Sequence, residues 1–94
     1  MVEVRFDSDG SRAVAYDTEK NLEAGEATVS KSEKIWIIDH TEVDDAYGGQ
    51  GLAAKLVDKV VEEARAKGIK LTATCPYALS RFEKKREELK DVLV

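Results

Sequence analysis

Ninety-four residues with 43% hydrophobic side chains, six Gly, one Pro and a net charge of −4 set the scale of one small globular domain, residues 1–94, and exclude collagen-like or disordered chains. The acidic balance, 15 Lys and Arg against 19 Asp and Glu, argues against nucleic acid as a partner, because phosphate neutralisation needs clustered cations. No apolar run exceeds four residues where a membrane helix needs about 20, Met1–Arg5 offers no signal-peptide core, and the single cysteine, Cys75, can form no internal disulfide. The expectation is no membrane and a cytoplasmic location.

Up to about residue 46 the pattern is that of strands. Val2, Val4 and Phe6 alternate with Glu3, Arg5 and Asp7, the period of a half-buried strand. Ser8-Asp9-Gly10-Ser11 is a turn signal. Arg12–Tyr16 reads as a second strand, Asp17–Asn21 as a polar turn, and Glu23–Ser30 as a third strand weakened by Gly25. After a turn at Lys31–Glu33, Lys34–Val43 is the longest strand. Strict alternation puts Ile35, Ile37, Thr41 and Val43 on one face and Trp36, Ile38, His40 and Glu42 on the other. Short connections imply antiparallel pairing.

The period then becomes helical. Ala53, Leu56, Val57, Val60, Val61 and Ala64 form an apolar stripe, with Lys55, Asp58, Lys59, Glu62, Glu63 and Lys67 opposite. Gly68 sits where a left-handed helix end belongs. Ile69–Thr74 reads as a buried strand, and Pro76 suits the first turn of a second helix running to about Glu88. Asp91–Val94 fit either a loose tail or a segment that packs back. The strand ending at Val43, the helix and Ile69–Thr74 thus make a right-handed strand–helix–strand unit with parallel strands. Ligands of such units bind beyond the carboxyl ends of the strands, here Val43-Asp44 and Thr74-Cys75.

Gly48-Gly49-Gln50-Gly51 falls at that place, directly before the helix. Glycines let successive N–H groups converge, and a helix N-terminus adds partial positive charge, so the loop suits a pyrophosphate. The plainer reading is a flexible helix-start loop. Gly49-Gln50-Gly51-Leu52-Ala53-Ala54 satisfies G-x-G-x-x-A, but no acidic residue ends the next strand to hold a ribose, and the chain is too short for a doubly wound dinucleotide domain. No Gly-Lys-Ser/Thr follows, which excludes a P-loop.

Val43-Asp44-Asp45-Ala46-Tyr47-Gly48-Gly49-Gln50-Gly51-Leu52-Ala53 resembles the acetyl-CoA loop of the GNAT acetyltransferases, Q/R-x-x-G-x-G/A after a strand ending near V-x-P. Gly48 stands where Arg or Gln is usual and Asp45 where Pro is usual. Asp39-His40-Thr41 and Thr72-Ala73-Thr74-Cys75-Pro76-Tyr77 resemble the minimal GNAT-like proteins of about this length. The resemblance spans about residues 22–83. It implies a mixed α/β GNAT fold, antiparallel strands followed by strand–helix–strand–helix, with an acetyl-CoA cleft between two parallel strands. It implies pantetheine pairing near Val43 and pyrophosphate on the amides of Gly49, Gln50, Gly51, Leu52 and Ala53 beside Gly48. Its thioester would point toward Cys75.

Three side chains could then carry chemistry. Cys75, between a strand end and a proline-initiated helix, is placed for a lowered thiol pKa and acyl attack, or is simply a buried cysteine. His40, the only histidine, could deprotonate Cys75 or an amine, or merely orient a strand. Glu42, on the same expected face, is a rival base. No His/Cys/Asp/Glu spacing suits a metal. Arg81, Lys84, Lys85 and Arg86 read as a solvated helix face, Trp36 and Phe6 as core, and Tyr47 and Tyr77 as flanking the cleft. The expected function is acetyl transfer from acetyl-CoA to an amine acceptor, possible acceptors including a protein or peptide. The alternative is a non-catalytic CoA-binding module serving as sensor or partner subunit.

Overall fold

The computed structural model describes residues 1–7 and 11–94. The turn expected at Ser8–Ser11 falls, but for Ser11, outside the described residues. Five strands, β1 (Val2–Asp7), β2 (Arg12–Asp17), β3 (Leu22–Lys31), β4 (Ile35–Val43) and β5 (Lys70–Ala73), form one sheet in the order β1-β2-β3-β4-β5. Pairing is antiparallel through β4, and β4 and β5 are parallel. Their crossover is helix α1 (Leu52–Lys67), and α2 (Pro76–Lys84) and α3 (Arg86–Leu89) follow β5. This mixed α/β order is the one expected from the sequence.

Helix α1 lies across all five strands. It buries Leu52, Leu56, Val57, Val60, Val61 and Ala64, each large side chain contributing about 1.5–3 kcal/mol. Ala53, expected in that stripe, is only half-buried. On the sheet these side chains meet Ala13, Ala15, Ala27, Val29, Trp36, Ile38 and Leu71. Small residues on β2 and β3 let α1 sit close, while Trp36 stacks on Phe6 with centroids 5.4 Å apart. Gly68 ends α1 at φ +68°, donating its amide to Ala64 and Arg65 carbonyls, the left-handed stop foreseen for it.

Two expectations change. Strict alternation fails in β4: Thr28 pairs with His40 but Val29 with Ile38, so Asp39 is an inserted bulge residue. Its carboxylate accepts from Ser30 Oγ at 2.6 Å. The insertion puts Thr41 and Val43 on the core face with Trp36 and Ile38. It sends His40 and Glu42 to the opposite, polar face. The single helix expected over Pro76–Glu88 breaks at Lys85 (φ −114°, ψ 23°) into α2 and α3. The break turns Leu89 and Val92 into the core. The tail packs back: Leu71 donates to the Val92 carbonyl (2.8 Å) and Val94 to that of Leu71 (3.1 Å). Arg65 clamps Asp91 through two bonds of 2.8 and 2.9 Å.

Candidate active site

β4 and β5 pair only as far as Ile38 and Ala73. Beyond that rung β4 runs on to Val43, while Thr74 and Cys75 both donate to the Ile38 carbonyl (3.0 and 3.2 Å) and the chain turns into α2. A wedge therefore opens between Thr41–Val43 and the first turn of α2. Asp44 donates its amide to the Ala24 carbonyl at 2.8 Å, which turns the even-numbered residues toward β3. By alternation the amides of Thr41 and Val43 face the wedge.

The glycine loop closes one end of this wedge. Asp44 caps a short 3-10 turn, Asp45–Tyr47, its Oδ1 accepting the Ala46 amide at 2.9 Å. Gly48 donates to the Asp45 carbonyl (3.1 Å) with ordinary extended backbone. Gly49 and Gly51 take φ of +81° and +71°, a region costly for side-chain-bearing residues. The next loop or helix amide to close a backbone bond is that of Lys55, to the Gly51 carbonyl at 3.2 Å. Among the described residues, then, the amides from Gly49 to Ala54 carry no backbone partner, and Gly51 as N-cap supplies no side-chain acceptor. These are the open donors of a helix N-terminus, extended by the loop. They border a cleft of about 270 Å³ lined by Val43, Tyr47, the loop glycines, Leu52, Ala53, Ala54 and Tyr77. A Cβ built on Gly49 or Gly51 meets no atom within 4 Å, so there is room for a ligand against this backbone. A larger hollow of about 480 Å³ lies between α1 and α3, walled by groups such as Asp58, Glu62, Arg65 and Lys85. Neither the loop nor the cysteine lines it.

Cys75 is the N-cap of α2, with Pro76 in its first turn as expected. It is buried, and its Sγ lies 3.6 Å from Thr41 Oγ1. Burial pushes the thiol pKa up, but the Ala78 amide, the Thr41 hydroxyl and the Tyr77 and Thr41 amides outweigh it and hold the thiol below its ordinary value. His40 and Glu42 are brought together, Nε2 to Oε2 at 3.6 Å, both more than half exposed. The structure thus gathers Val43, Gly48, Gly49, Gly51, Leu52 and Ala53 around one cleft and Cys75 beside it. Gln50 sits in the same loop. His40 and Glu42 stand across the sheet, and the neighbour of Cys75 on β4 is Thr41. Arg81 is spent on Asp58, with bonds of 2.9 and 2.8 Å that tie α2 to α1.

Tyr47 is buried, and its hydroxyl donates to Asp17 Oδ2. That hydrogen bond, desolvation and the carboxylate's charge push the tyrosine pKa up to about 12. The hydrogen bond from Tyr47 and the amides of Lys20 and Glu19 hold Asp17 below the usual carboxylate range, against the effect of burial.

The model of the GCN5-related N-acetyltransferases matches residues 12–92. The chain belongs to this family. A GCN5-like protein from Staphylococcus aureus, solved in solution by NMR, superposes with a TM-score of 0.73 at 33% identity, over 98% of this chain and 87% of that one. A GNAT-family protein from Desulfovibrio desulfuricans superposes with a TM-score of 0.56 at 24% identity, over 82% of this chain and 54% of that one, which is a likeness of fold. No curated protein matches the chain. The family resemblance expected from the sequence thus holds, and GNAT enzymes use acetyl-CoA as cosubstrate. Among the described residues no His, Cys, Asp and Glu groups cluster as metal ligands. No described helix is long and apolar enough to cross a membrane.

Sequence reasoning missed Thr41 as the partner of Cys75, because a bulge leaves no mark on a two-residue period. It missed Asp17 altogether. An aspartate in a polar turn gives no sign that a tyrosine 30 residues away will bury it.

Proposed function

We propose that residues 1–94 act as one acetyltransferase module in the cytoplasm, moving an acetyl group from acetyl-CoA to an amine. The observation that carries this reading is the row of open amides from Gly49 to Ala54 beside a cleft that no side chain fills. Gly49, Gln50, Gly51, Leu52 and Ala53 hold the pyrophosphate through backbone N–H groups, with Gly48 leading the chain in. Val43 pairs with the pantetheine arm, and its wedge-facing amide is a hydrogen-bond donor for the thioester oxygen as negative charge develops there. Acetyl-CoA supplies an activated thioester: the acetyl carbon bonds to the acceptor nitrogen, its bond to sulfur breaks, and CoA leaves as the thiol. Catalysis on this scaffold is chiefly positioning.

The polar face supports an amine acceptor. His40 and Glu42 stand there as a pair able to take the proton that the amine gives up. Glu42 and Asp44, with Glu23 and Glu26, border a hollow of about 200 Å³. Arg12 neutralises part of that charge through bonds of 2.8–2.9 Å to Glu23 and Glu26, and the remaining sign favours an ammonium over an anion. A second route rests on the lowered thiol of Cys75. There Sγ takes the acetyl carbon, the thiol proton departs with CoA, and the amine then takes the acetyl group and restores the thiol.

Incubation with acetyl-CoA and a panel of amines, followed by free-thiol release and intact mass under denaturing conditions, tests both routes. Amine-dependent release supports transfer, and an added acetyl group on Cys75 selects the second route. Tight binding with no release above background would refute transfer and leave a CoA-binding module.

A further inference from the structure

We infer that Asp17 and Tyr47 form a positioning pair that presets the glycine loop for the pyrophosphate; the inference rests on the acetyl-CoA reading of that loop. Asp17 is the one charged residue buried among the described residues, at 6% exposure. Burying a carboxylate is unfavourable unless every lone pair finds a donor. Here Oδ1 accepts the amides of Glu19 and Lys20 (3.0 and 3.1 Å), and Oδ2 accepts the Tyr47 hydroxyl. The same turn is closed by Asn21 donating to the Asp17 carbonyl at 2.8 Å. The carboxylate is thus a fixed post at the end of β2, and among the described residues its one side-chain donor is Tyr47, which leads into the glycine loop.

The loop has little else to hold it. After Gly48 donates to Asp45, no loop amide bonds backbone among the described residues until Lys55, and α1 begins without a side-chain cap. On the helix side it is anchored by buried Leu52, and on the strand side by the buried ring of Tyr47, with the Lys20 ammonium 6.0 Å from the ring centroid. An apolar contact would stabilise this corner as well as a buried polar pair does. What the hydrogen bond adds is direction: it fixes the position of Tyr47, and so of Gly48, both of which line the cleft. A loop released from that post would hold its binding geometry only part of the time, and ligand affinity falls by the fraction of time that is lost.

The test is CoA affinity by calorimetry on the full chain for wild type, Tyr47→Phe, Asp17→Asn and the double variant. Val92→Ala, a buried site remote from the loop, serves as a thermally destabilised control. We expect Tyr47→Phe to weaken CoA about fivefold, with the double variant no weaker than the worse single one. Pantetheine, which lacks the pyrophosphate, should bind wild type and Tyr47→Phe alike, and Val92→Ala should bind CoA like wild type. In turnover, KM for acetyl-CoA should rise with kcat unchanged. Unchanged CoA affinity in folded Tyr47→Phe, an equal loss in Val92→Ala, or an equal loss for pantetheine would overturn the inference. Wild type that binds no CoA would overturn the reading of the loop itself.

Discussion

Gly51 and Gly68 allow strain and ligand contact to be separated in one chain. Both are left-handed, at φ +71° and +68°, with ψ of 22° and 27°, and a Cβ at either meets nothing within 4 Å. One starts α1 at the cleft, and the other ends it on the far side of the domain. Replacement by Ala should therefore impose the same backbone penalty at both, about 1–2 kcal/mol. Each kcal/mol lowers Tm by about 4–8 °C in a domain of this size. Only Gly51→Ala places a methyl group against the amides proposed to hold the phosphate. We expect matching losses in thermal melts, and a tenfold or larger loss of CoA affinity, about 1.4 kcal/mol or more, for Gly51→Ala alone. Gly51→Val, with a branched side chain at positive φ, should lose more on both counts. Wild-type CoA affinity in both Ala variants would show that the loop backbone is not the phosphate site, and equal losses in both would show that strain alone explains the effect.

Cys75→Ala should keep CoA affinity, since the proposed contacts are backbone-borne, and should abolish transfer only if the thiol carries the acetyl group; undiminished transfer would restrict chemistry to the direct route. The rate of Cys75 alkylation should rise with pH through a midpoint below the ordinary thiol value, and a midpoint at or above that value would contradict the stabilising donors around Sγ. Ultraviolet titration should show one tyrosine ionising near pH 12. Because its folded pKa is raised, Tyr47 contributes stability that is complete below the ordinary tyrosine pKa of about 10 and lost as pH climbs through about 12. Tyr47→Phe should remove both the spectral step and that part of the alkaline stability loss. Gly25→Ala sets a Cβ 2.6 Å from the Glu42 carbonyl oxygen and 3.2 Å from Val43 Cα, so it should cost about 1–3 kcal/mol and shift the amide resonance of Val43; a variant as stable as wild type would show that this β3–β4 approach yields easily.

The sequence carried the periodic features well. Alternation marked β1, the three-and-four spacing marked α1, and Gly68 and Pro76 bounded elements for stereochemical reasons that do not depend on tertiary context. The glycine loop was legible for the same reason, since positive φ before a helix demands residues such as Gly49 and Gly51. Legibility ended where long-range contacts decide. The bulge at Asp39 is set by registry between β3 and β4, and it alone moves His40 and Glu42 away from Cys75. Gly25 looked like a weak point in β3, yet its missing side chain is what lets the Glu42 backbone approach. The break at Lys85 follows from burial of Leu89 and Val92 against the sheet, which local helix propensity in a charged segment does not reveal.

The most direct test of the central claim is a titration of the ¹⁵N-labelled protein with CoA, followed amide by amide, with NAD as the competing dinucleotide. The largest shifts are expected at Gly49, Gln50, Gly51, Leu52 and Ala53, smaller ones at Val43, and none of comparable size with NAD. CoA shifts centred on the hollow between α1 and α3, or loop shifts with NAD and none with CoA, would contradict it.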